Sequence, residues 1–127
     1  MAAMTDYLAN ALRDHTLRNM AYTSPTTVYL ALFTTATTEA GGGTEMTGGS
    51  YARQAITFDA GAIAGQADQA AVVAFTDCPA ATVVAAAVMD ALTVGNMLYH
   101  GRLPSQRTLV GGETFTLIAG DLKILID

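Results

Sequence analysis

Charge is scarce in this chain: 13% of its 127 residues are Asp, Glu, Lys or Arg, against about 25% in an average soluble domain. Six basic residues, Arg13, Arg18, Arg53, Arg102, Arg107 and Lys123, are scattered among eleven acidic ones, and the net charge is -5. No stripe of cations is available to neutralise a run of phosphates, which argues against direct contact with nucleic acid. The single cysteine, Cys78, excludes an internal disulfide and any multi-cysteine zinc site. With no basic neighbour in sequence to activate it, Cys78 reads as a small buried apolar residue. Long apolar runs are missing too. The closest, Ala80 to Met89, ends at Asp90, far short of the ~18 residues of a spanning helix, and there is no basic face to hold a membrane surface. The start, "MAAMTDYLANALRDH", has no basic segment ahead of an apolar stretch and carries Asp6 early. A secretion signal is therefore not expected, and synthesis in a cytoplasm is.

Catalytic signatures are also lacking. There is no Gly-x-Ser-x-Gly elbow, no Cys-His pair and no His-Glu-x-x-His run. "AGGGTEMTGG" resembles a phosphate loop only in its glycines; the Gly-Lys-Ser/Thr ending and a following helix are absent. His15 and His100 stand in separate elements with no carboxylate at metal-ligand spacing. Nothing here points to an enzyme, a cofactor or a metal.

What the chain does have is hydrophobic surface, 51% of its residues, much of it alanine. A length of 127 residues supports one domain, 1–127, with one core. So few charges make protein contacts, including self-association into a homo-oligomer, the natural cover for the remaining apolar surface. Thr5 can cap a first helix, 5–18, on which Leu8 and Leu12 share a face with Tyr7 and Ala11 beside them. Asp6 in its first turn and Arg18 in its last suit the helix dipole.

Past Pro25 the periodicity changes. Val28, Leu30 and Leu32 alternate with Tyr29, Ala31 and Phe33, so both faces are apolar and a central strand is expected. A long loop, 35–50, rich in glycine and threonine, follows. After it, "SYARQAITF", "QAAVVAFT", "TVVAAAVMD", "NMLYHGRL", "RTLV", "ETFTLIAG" and "DLKILID" are separated by Gly, Pro, Asp and Asn. The pattern predicts a mainly β domain over 27–127: an antiparallel β-sandwich or jelly-roll-like barrel of about seven or eight strands, with an N-terminal α-helix. "LVGGETF" signals a tight hairpin and "AGDL" a second turn. Ala81 to Met89 is the ambiguous stretch, since alanine favours helix and valine strand; the neighbouring strands decide for strand. No repeat of the kind that builds a fibrous shaft is present.

Four stretches, "MTDYLANALRDH", "YTSPTTVYLALFTT", "GGSYARQAITF" and "GDLKILID", resemble a family of small tailed-bacteriophage virion proteins known as phage tail fibre proteins. The resemblance runs from Met4 to Asp127, is most specific at "SYARQAITF" with its preceding loop, and departs from the family pattern in Ala80 to Thr93. It implies a structural protein of the virion, at the surface of the particle and made in the host cytoplasm. The absence of shaft repeats and of tryptophan turns the expectation toward a capsid decoration or cement protein bound to the major capsid protein. The alternative is a tail-fibre or baseplate protein contacting other tail proteins and serving host attachment. On either reading the loop is a contact surface that could be replaced by a short turn without unfolding the domain. The interface residues expected are Tyr7, Leu8, Leu12, Thr44, Met46, Tyr51 and Arg53.

Overall fold

The computed structural model describes residues 3–126. Among these, one helix and ten strands follow in the order β1 (Ala3–Met4), α1 (Asp6–Leu17), β2 (Val28–Phe33), β3 (Gln54–Ile56), β4 (Phe58–Ala60), β5 (Gln66–Gln69), β6 (Val73–Cys78), β7 (Ala81–Met89), β8 (Met97–Leu109), β9 (Glu113–Leu117) and β10 (Lys123–Leu125). The mainly β architecture with an N-terminal helix is the one expected, and its sheets do not close into a barrel. Thr5 caps α1, its Oγ1 accepting from the Leu8 amide. The same hydroxyl donates to the Met97 carbonyl at 2.6 Å, so the cap also fastens the helix to β8.

Every paired strand is antiparallel, in sheets ordered β1-β8-β7-β2-β3, β10-β5-β4 and β6-β9. In β2 the alternation read from the sequence holds: Leu30 and Leu32 enter one core, Ala31 and Phe33 another on the opposite face of the sheet. The larger core lies between the five-stranded sheet and the β6-β9 ribbon, where Leu30, Leu32, Ile56 and Val83 meet Val73, Phe75 and Phe115. β7 is a strand, as its neighbours implied. Flanked by β2 and β8, its alanines allow close packing on both faces, and that tertiary demand outweighs alanine's helix preference.

The strand divisions differ from those expected. "SYARQAITF" supplies β3 and the first residue of β4, because the chain leaves one sheet after Ile56 and enters another at Phe58. "QAAVVAFT" likewise spans the end of β5 and most of β6. "NMLYHGRL" and "RTLV" instead join into β8 through a wide bulge, in which Leu103 to Gln106 stand opposite Val84 alone. Pro104 sits inside that bulge, where its missing N–H costs no ladder bond. "LVGGETF" makes its turn, with Glu113 N–H bonded to the Val110 carbonyl, but its arms belong to different sheets. The pairs β6–β9 and β7–β8 are two halves of one long ribbon that bends over at Pro79 and Gly111–Gly112. The Gly112 N–H to Cys78 carbonyl bond of 2.9 Å ties the halves at the corner. The bend folds Phe75 and Phe115, in edge contact at 6.3 Å, onto the sheet.

The loop 35–50 is also built into the domain, against the expectation that a short turn could replace it. It doubles back on β2: Thr34 N–H bonds the Thr44 carbonyl, Glu45 bridges Phe33, and Met46 N–H bonds the Leu32 carbonyl. Thr35 and Thr38 hydroxyls accept from the Thr44 and Gly42 amides, so the threonines supply turn bonds. Met46 is buried in the larger core. A short turn could not replace this segment without opening that core.

Candidate functional site

Where the loop returns to the sheet, residues 45, 51 and 53 converge. Arg53 leads into β3, and its guanidinium grips Glu45 through Nε–H to Oε2 at 3.0 Å and Nη2–H to Oε1 at 2.9 Å. Its remaining nitrogen, Nη1, donates to the carbonyls of Ala91 and Val94 at 2.9 and 2.7 Å. One side chain, only 9% exposed, thus joins the loop to the tip of the β7–β8 hairpin. The planar fork of arginine suits this bidentate task; a lysine could not make it. Tyr51 completes the cluster: its hydroxyl donates to Glu45 Oε2 at 2.7 Å and accepts from the Leu32 amide at 3.0 Å, while its ring stacks on Phe75.

The electrostatics follow from this geometry. Burial pushes the Glu45 carboxyl up, but hydrogen bonds from Arg53 and Tyr51 outweigh it and hold the group below its usual range. Burial, then the bond to the Glu45 carboxylate, drives the Tyr51 phenol far above its ordinary value. The Glu45 bond raises Arg53 further. All three groups are thereby locked in their neutral-pH states, which suits a structural clamp and not proton transfer.

Beyond the clamp, the hairpin tip projects. Asp90 accepts from the Asn96 amide and side chain, closing the turn at 2.7 and 3.1 Å. Val94 adopts a left-handed φ of 57°, rare for a β-branched residue, and is 84% exposed; Leu92 beside it is 51% exposed. Between the tip and residues 45–48 and 51–53 lies an open groove of ≈ 430 Å³. Among the described residues no three His, Cys, Asp or Glu side chains gather in a way that could hold a metal ion.

The residues singled out from the sequence fall into three groups. Tyr51 and Arg53 meet at this site. Leu8 and Met46 are buried inside the domain, so their side chains are closed to a partner, and Leu12 is half-buried on α1. Tyr7 and Thr44 are exposed, Tyr7 lining a smaller cleft with Glu39 and Asn96. Sequence reasoning missed Glu45, Leu92 and Val94. The available signal was "ALTVGN", two large apolar residues inside a turn.

No curated protein matches the chain. A protein-family model described as "Podophage GP4 fiber I protein gp80" matches residues 3–125, in line with the resemblance drawn from the sequence. By that match, over nearly its whole length, the chain belongs to the family of podophage fiber I proteins.

Proposed function

We propose that the chain is a non-enzymatic structural component of a podophage tail fibre, acting through protein–protein contacts made at the braced hairpin tip. The family match carries this reading, and the tip supports it: large apolar side chains held out on a rigid backbone suit docking to another protein. The clamp beneath uses its charges on itself and leaves none aimed at a substrate. The fibre name favours the tail over the head, so the tail-fibre alternative replaces capsid decoration as the reading to test; nothing in the match speaks for a cement protein. On this reading the chain is a virion component and its partners are other tail proteins.

Quantitative mass spectrometry of purified virions, with immunogold labelling, tests the proposal. The expected result is label at the tail and a copy number far below that of the major capsid protein. Label spread over the head at near-stoichiometric copy number would overturn it.

A further inference from the structure

We propose that residues 35–44 form a strap poised to open, a cover over the second apolar core that unlatches as a unit while the rest of the domain stays folded. Strand register places it. Ala31, Ala87 and His100 stand side by side across β2, β7 and β8, and Phe33, Ala85 and Arg102 form another row on the same face. The strap crosses these rows. Gly43 lies against Phe33, where an added Cβ would come within 3.1 Å of the ring, and the Thr37 hydroxyl meets His100 Nδ1 at 3.0 Å. Beneath it Ala31 and Ala85 are 0% exposed and Ala87 is 2% exposed.

The hold on this cover is slight. None of residues 35–44 is buried, and only Thr37 and Gly42 are half-buried, so the strap lays backbone on an alanine floor and sinks no large apolar side chain of its own. Segments with few buried apolar contacts are the ones that open locally, below the free energy of global unfolding. Beyond its base, where Thr34 and Thr44 pair, two hydrogen bonds among the described residues tie it to the domain: Thr37 with His100, and the Asp6 amide of α1 to the Glu39 carbonyl at 2.8 Å. The closed state also carries a penalty. His100 Nε2 is buried with no hydrogen-bond partner, the one such side-chain atom among the described residues. Opening lets water reach the ring and removes that penalty. Met46, two residues past the strap, stays fixed in the larger core and sets the limit of the movement.

Native-state hydrogen exchange of the purified full chain, read residue by residue by NMR, tests this. The Asp6, Thr38 and Gly42 amides report on the strap, and the amides of β2 and β7 on the core. In the wild type the strap amides are expected to exchange at least about 100-fold faster than the core amides, at rates that low urea leaves unchanged. Thr37→Val keeps the side-chain shape and removes the bond to His100, and Gly43→Ala sets a methyl group against Phe33 at a φ of 118°. Each is expected to speed exchange at Asp6, which lies outside the strap and is bonded to neither substituted residue, by about five- to tenfold. Core exchange and the melting temperature should stay put. Thr37→Ser, which restores the hydroxyl, is expected to bring Asp6 back near the wild-type rate. Should Gly43→Ala melt early, Thr37→Val and Thr37→Ser carry the test alone. Strap amides that exchange only together with the core, with the urea dependence of global unfolding, would overturn the proposal. So would a Thr37→Val effect confined to residues 37 and 38, with Asp6 unmoved.

Discussion

Arg53 shows how much a single residue can join. Among the described residues it is the only side chain bonded to the loop and the hairpin tip together, and removing it strands a partly buried carboxylate and two carbonyls. Arg53→Ala is expected to cost about 3 kcal/mol, by the logic of breaking a buried pair on one side only, and Arg53→Lys is expected to recover little of it; urea unfolding measures both. The same cluster sets a pH window. Because Glu45 titrates lower in the folded chain than its ordinary 4.5, the stability it adds is complete above that value and is lost as pH falls through the folded-state pKa. Tyr51 works in the other direction. Raised above 10.0 by burial and Glu45, it adds stability below that pH that is lost on the alkaline side. Unfolding midpoints measured against pH should therefore form a plateau between the two, and Tyr51→Phe should flatten the alkaline limb. The anchor types were legible in "SYARQ" as a tyrosine and an arginine at a loop exit. Glu45 was not, because its partner is chosen by the way the loop returns to β2.

At the scale of elements, the loop and the ends of the small sheet make the clearest predictions. Met46→Ala is expected to cost about 2–5 kcal/mol, the range for removing a buried large side chain, and to increase amide exchange across 34–46. Unchanged stability would show that the loop is dispensable, as its composition alone implied. Gly65 carries a φ of 81°, and a methyl group there would collide with the Ile126 carbonyl oxygen, while the Ile126 N–H donates to the Gly65 carbonyl and holds the two residues together. Gly65→Ala should thus loosen β10 from β5 and lower the melting temperature. Helix α1 and β2 could be read with accurate limits because cap and alternation are local signals. The β3–β4 division and the β8 bulge could not, since each is decided by which strand lies alongside.

Across the whole molecule, the bent ribbon lays two sheets over one shared core. Phe75 lies at its centre, fully buried, stacked at 5.9 Å on Tyr51 and edge-on to Phe115. Phe75→Ala is expected to cost about 3–5 kcal/mol, and calorimetry should still show a single transition, because the core is shared by sheet and ribbon. Two separate transitions would mean that ribbon and sheet fold independently. The same bend leaves the β7–β8 tip at the free end of the ribbon, clear of the core, which is why two large apolar residues can stand in water there.

Composition and periodicity by themselves determined a mainly β chain with a capped N-terminal helix and a central apolar strand, because burial alternation and capping depend on residues close in sequence; the family kinship rested instead on the resemblance of four stretches of sequence. Tertiary structure alone decided that the glycine loop feeds the core, that the apparent hairpin at Gly111–Gly112 is a corner between sheets, and that Glu45, Arg53 and the Val94 tip form one site. Those outcomes hang on contacts between residues far apart in the chain, and the choice among possible pairings is made by packing and hydrogen-bond satisfaction across the whole fold.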